Sequence, residues 1–196
     1  MVGTGWQGSL VRSRYLPIVY LCNMVSRQSI LPVALRYGFF CGTAHAVLIV
    51  AILSSGSSLY HPATIFAFVI TFIFILRCVR SIRENEGEGF ISFKHAMVSG
   101  AFMCFFAFLL LGLVEYILGA TLFPNMLEMS KNEMLRNIEA AEIIMSESQI
   151  ERYYDDIEKL TLAGLTMNDA ASKFFWGLLL SLILALSLRR KRPIQP

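Results

Sequence analysis

From His95 to Phe123 the chain reads HAMVSGAFMCFFAFLLLGLVEYILGATLF, and Glu115 is its one carboxylate, with no Lys or Arg. A helix of about 20 apolar residues crosses a bilayer core of about 30 Å, so this run suits a bilayer crossing and is too long for the core of a small soluble domain. Such a helix needs neighbours that tolerate a carboxylate at membrane depth. Composition agrees, because 56% of the 196 residues are hydrophobic, 16% are charged and the mean hydropathy is +0.59. That combination excludes an ordinary soluble domain.

Three further apolar segments, at about 32–53, 62–80 and 170–188, accompany the one at 95–123, which makes four spans. The predicted fold is all-α, a four-helix transmembrane bundle. Pro32 is expected in the first turn of the first span, with Arg36 snorkelling back to the entry side. Gly38, Gly42 and Ala46 recur at steps of four and form a small-residue stripe for close helix packing, and Gly112 and Gly119, on one face of the third span, are further packing candidates. Pro62 opens the second span after the polar turn SSGSSLYH, and Phe174, Phe175 and Trp176 suit an interfacial aromatic belt in the fourth.

Residues 1–30 contain no acid and read as a basic cytoplasmic tail ahead of a four-span domain at 31–192. The apolar patch Leu16–Cys22 is too short to span and lacks the small residues of a signal-peptide cleavage site, and Met24 is an alternative start. None of the cysteines, Cys22, Cys41, Cys78 and Cys104, forms a CxxC pair, so the last three read as small core residues.

The loop 124–169 is the one substantial polar region, and it is predicted to be a helical hairpin. Leu127, Met134, Ile138, Ala141 and Met145 recur at helical spacing, and Ile150, Tyr153, Tyr154, Ile157 and Leu160 do so after a break. Ser146 and Gln149 have the spacing of a capping box, and Thr166 to Asp169 reads as the next helix start. Apolar positions Ile138, Ile150, Tyr153 and Ile157 are candidates for docking a protein partner or a second copy. Ten of the 14 acids fall in this loop, whereas Arg77, Arg80, Arg83 and Arg189 to Arg192 lie at the opposite ends of the spans. The positive-inside rule then places both termini in the cytoplasm and the hairpin outside it, in the cytoplasmic (inner) membrane of a bacterium.

The sequence resembles a known family through ALRYGFFCG at the first span, EGEGFISFKHAMVSG at the third, a long helical loop and a short last span ending in basic residues. It is similar to the domain of unknown function family 4199, small four-span membrane proteins of Bacteroidetes. The likeness runs from about Leu31 to Arg192, and its most specific parts are Leu35-Arg36-Tyr37-Gly38 and Gly89-Phe90-Ile91-Ser92-Phe93 followed by Ala96 and Gly100. Where the family commonly has an acid before the proline ending the third span, this chain has Phe123 before Pro124. The resemblance implies a fold and a membrane location, with no activity and no cofactor.

Ionisable residues within spans are functional candidates by default, which singles out His45 and Glu115 as an intramembrane polar site. Glu115 lies about 27 Å along the third span, near its outer edge, between Gly112 and Gly119 on one helical face. The alternatives are a histidine hydrogen-bonded across helices and a carboxylate that snorkels outward or pairs with a base. Lys94 and His95 read as interfacial anchors. Asp155, Asp156 and Glu158 with Tyr153 and Tyr154 are explained as well by a solvated helix face as by a cation site, and there is no Gly-centred calcium loop, HExxH, phosphate loop or GxSxG. The sequence therefore points to no catalytic residue, metal site or nucleic-acid partner. It favours a non-enzymatic structural or partner-docking membrane protein, with a small transporter or channel component as the alternative and an intramembrane enzyme third.

The orientation is testable by cysteine labelling in intact cells. A single cysteine at Ser148 should react with an impermeant reagent while one at Gln195 is protected; the reverse pattern would invert the topology.

Overall fold

A computed structural model of the protein describes the backbone of residues 8–85, 89–141 and 146–189 and the side chains of 30–85, 89–140 and 146–189. The described residues form six α-helices and no strand: α1 (Gly8–Ser54), α2 (Ile65–Asn85), α3 (Phe93–Thr121), α4 (Met126–Ala141), α5 (Glu147–Glu158) and α6 (Leu162–Leu188). Four segments are long and apolar enough to cross a membrane, namely Ile30–Ser54, Pro62–Asn85, Phe93–Thr121 and Leu162–Leu188.

α3 is the central helix. Its buried face carries Ala96, Ser99, Gly100, Met103, Cys104, Ala107, Leu111 and Glu115, most of them small or polar, and its exposed face carries Phe102, Phe105, Leu109, Leu113, Tyr116 and Ile117. In lipid this distribution is favourable, because large apolar side chains meet acyl chains while small ones let helix backbones approach. α1 packs on one side of α3. A Cβ on Gly38 would lie 2.8 Å from the Met103 carbonyl oxygen, and one on Gly42 would lie 2.8 Å from that of Ala107. Ala46, the third member of the stripe, is half-buried.

α6 packs antiparallel along another side of α3, with small residues again at the seam. A Cβ on Gly100 would meet Ser181 Cβ at 2.9 Å, one on Gly177 would meet Cys104 Sγ at 2.8 Å, and one on Gly112 would meet Ala170 at 3.1 Å. Gly119 faces Leu162 and Met126, so the first turn of α4 is seated on the end of the bundle. α2 completes the bundle against α1, α3 and α6.

The helix ends follow local chemistry. Gly56 (φ 75°) and Gly89 (φ 88°) adopt left-handed backbone that other residues avoid, and their N–H groups donate to Leu53 O at 3.0 Å and Arg83 O at 2.9 Å, closing α1 and α2. Ser92 Oγ accepts from His95 N–H and Thr161 Oγ1 from Gly164 N–H, starting α3 and α6. At α5 the Gln149 side chain accepts from the Ser146 N–H at 3.1 Å.

Several boundaries differ from the sequence reading. α1 starts at Gly8 rather than Pro32, which sits inside a continuous helix. A proline removes one backbone hydrogen bond, and the remaining bonds of the helix on either side carry it past that gap. α6 begins at Leu162, ahead of the expected helix start at Thr166 and span start at Ala170, because Thr161 provides the cap. The first turns of α6, including buried Thr166 and Asp169, thus belong to the bundle and not to the outer loop. Phe174 to Trp176 consequently lie roughly 18–21 Å into α6 at 1.5 Å per residue, not at its end as an interfacial belt requires. Phe174 instead packs edge-on against Phe105, and Trp176 against Phe68.

α4 and α5 pack on each other. Ile138 and Ile157 are buried, Ile150 is half-buried, and Lys131 Nζ donates to the Glu158 carbonyl at 2.9 Å, tying α4 to the C-terminal end of α5. Tyr153 and Tyr154 are exposed. The Ala141 side chain and Met145 lie outside the described residues.

Close backbone approach at Gly42 leaves no room for a side chain. Gly42→Leu should lower thermal stability in detergent by about 1–3 kcal/mol; an unchanged melting profile and yield would show that this face does not pack on α3.

Candidate functional site

Glu115 is fully inaccessible on the inner face of α3, so it neither snorkels nor reaches water. Its Oε1 accepts from Lys173 Nζ of α6 at 3.3 Å, and its Oε2 has no hydrogen-bond partner. The same ammonium bonds Asp169, one helical turn earlier on α6. The i, i+4 spacing sets these two on one face, and a lysine within a helix leans back toward the N-terminus, where Asp169 waits. The three side chains form an ion cluster with a buried carboxylate on α3 and a nearly buried acid and base on α6.

His45 lies on α1 and is equally buried. Its Nδ1 is 2.8 Å from the Cys41 carbonyl oxygen, and its Nε2 is 3.1 Å from the Ala67 carbonyl oxygen and 3.2 Å from Thr71 Oγ1 on α2. Thr71 has one hydroxyl proton and two acceptors within reach, Ala67 O at 2.9 Å and the imidazole. With a bare Nε2 the hydroxyl donates to the ring. With a proton on Nε2, the ring donates to the Ala67 carbonyl and the hydroxyl turns to the same oxygen. The surroundings of His45 therefore accept either one or two ring protons by rotation of a single hydroxyl. The ring also stands edge-on to Phe108 of α3, with centroids 5.5 Å apart.

A cavity of about 180 Å³ joins the two groups. Its lining includes His45, Thr71 and Phe108, the Asp169 and Lys173 side of the ion cluster, and Phe68 and Trp176, which meet edge-on at 6.0 Å across the α2 and α6 seam. Leu59, Tyr60 and Thr64, from the α1–α2 connection and the start of the second span, line it too. Burial, followed by the Asp169 and Glu115 carboxylates, pushes the Tyr60 phenol up to about 12, so Tyr60 stays a neutral hydrogen-bonding group here. His45 and Glu115 thus each have their own partners, and what connects them is Lys173, which bonds Glu115 and shares the cavity wall with His45.

Sequence reasoning singled out His45 and Glu115 but assigned Asp169 to the loop and overlooked Lys173. The available signal was a lysine inside an apolar run with an acid four residues before it. Among the described residues no group of three His, Cys, Asp or Glu is placed to hold a metal, and Cys41, Cys78 and Cys104 are free and buried.

Lys173 is the shared partner of two carboxylates, so removing it should matter more than removing either acid. Lys173→Met should destabilise the protein in detergent by about 3–5 kcal/mol, the cost of leaving buried charge without its partner, and Glu115→Gln by clearly less. Equal melting temperatures for the two variants would show that the cluster is not a charge pair.

No curated protein and no solved structure matches this chain. The family model described as "Protein of unknown function (DUF4199)" matches residues 36–190, which takes in most of the first candidate span, the other three spans, the α4–α5 hairpin and every residue of the cavity. The chain belongs to that family of unknown function.

Proposed function

We propose that this protein is a non-enzymatic, multi-pass protein of the bacterial cytoplasmic membrane, with both termini in the cytoplasm, that moves charge through the intramembrane site formed by His45 and the Glu115–Lys173–Asp169 cluster. It is a small transporter or a component of one. The observation that carries this reading is the charge imbalance of the cluster beside a cavity: two carboxylates share one ammonium, and Glu115 Oε2 has no partner. An excess negative charge in a low-dielectric interior is balanced by a proton or a cation, and a cavity gives either one access. His45 lines the same cavity and can take up or release a proton at Nε2 without losing its other hydrogen bond, which suits a relay.

Docking through the outer hairpin receives less support. Ile138 and Ile157 are covered within the protein, which leaves Tyr153 and Tyr154 as the large apolar groups most exposed among the described residues of that hairpin.

Proton entry into liposomes provides the test. Vesicles containing the purified protein and an internal pH dye should acidify faster than protein-free vesicles under a potassium diffusion potential, and Glu115→Gln and His45→Ala should each reduce the rate at least about tenfold. A wild-type rate equal to that of empty vesicles, or full activity of both folded variants, would overturn the proposal.

A further inference from the structure

We infer that the cavity is a binding site for a small organic ammonium ion. This deepens the transport reading by naming the class of solute, and it rests on that reading for what binding accomplishes. Three independent features of the cavity lead to it.

The first is the wall. Tyr60, Phe68, Phe108 and Trp176 come from the α1–α2 connection, α2, α3 and α6 and surround one small space. Aromatic rings attract cations through their negative faces, most strongly where water is excluded, and grouped rings recognise alkylated ammonium groups whose diffuse charge binds water weakly. The second is the sign of the charge. Lys173 lines the cavity but is already bonded to Asp169 and Glu115, so the cluster as a whole carries one excess negative charge when ionised. A cation cancels that charge, whereas an anion would double it. The third is size. At about 30 Å³ per water-sized unit, 180 Å³ holds roughly six heavy atoms. That accommodates tetramethylammonium or a comparable amine and is too small for a nucleotide or a disaccharide.

The charge facing the cavity defines how the ion would sit. Asp169 offers the anionic side, His45 and Thr71 line a polar wall, and Phe68 meets Trp176 edge-on across the α2–α6 seam, each ring partly exposed on the outside of the bundle. A free amine in solution and the ammonium headgroup of a phospholipid share this chemistry.

Full-length protein in dodecyl maltoside, titrated with tetramethylammonium chloride by calorimetry, tests the inference. Saturable binding is expected, with a change in Trp176 fluorescence when Trp6 is replaced by Phe. Asp169→Asn should weaken binding at least about tenfold, as should Phe68→Leu, which removes a ring without touching the ion cluster and so remains informative if Asp169→Asn fails to fold. Displacement of the bound ion by dihexanoylphosphatidylcholine below its micelle concentration would identify a lipid headgroup as the source, and lack of displacement a free solute. The absence of saturable binding to wild-type protein, binding of sodium acetate in its place, or wild-type affinity in both variants would overturn the inference. If proton flux into liposomes persists while tetramethylammonium fails to bind, the ammonium assignment falls and the transport reading stands.

Discussion

Close contact between helix backbones at α3 is the constraint on which the rest of the structure depends. Between helices that both face lipid there is little hydrophobic gain from association, so packing density and polar contacts have to hold the bundle. Here Gly38 and Gly42 bring α1 onto α3, and Gly100, Gly177 and Gly112 bring α6 onto α3. Such contacts leave space for few large side chains along the seams. They also fix the register of α1, α3 and α6, and register determines which polar groups meet.

The ion cluster is a product of that register. With Gly112 against Ala170 and Gly100 against Ser181, the antiparallel α3 and α6 set Glu115 within reach of Lys173, and the helical turn from Asp169 to Lys173 supplies the second acid. Such a cluster is weak evidence for stability, because desolvating three charges opposes their attraction, and apolar residues would serve packing as well. A buried charge group that packing does not require is better explained by a task. The cavity next to it, with aromatic rings on several sides and an imidazole that accommodates two protonation states, gives the charge something to act upon.

The end of the bundle that carries α4 and α5 is built differently. Met126 anchors the start of α4 in the core, while α5 keeps one buried residue, Ile157, and an exposed charged surface. Helices this short gain most of their stability from tertiary contacts, and here Ile138, Ile157 and the Lys131 bond to Glu158 supply them. The hairpin thus accounts for much of the apolar surface that its sequence displays.

What the sequence determined by itself was whatever depends on local composition and period. Long apolar runs set four candidate spans, steps of four exposed the Gly38–Gly42 stripe, and the capping box of Ser146 and Gln149 marked the start of α5. Each of these is written within a few turns of chain. The start of α6 was less legible, since the sequence reading placed it at Thr166, whereas Thr161 caps the helix and Thr166 and Asp169 are buried within its first turns. Only the tertiary structure joined Glu115 to Lys173 across 58 positions, placed His45 against Ala67 and Thr71 on a different helix, and brought four aromatic rings around one cavity. Those pairings are set by the rotation and register of packed helices, which hydropathy does not encode, because any face of an apolar helix can meet lipid or protein until its neighbours are in place.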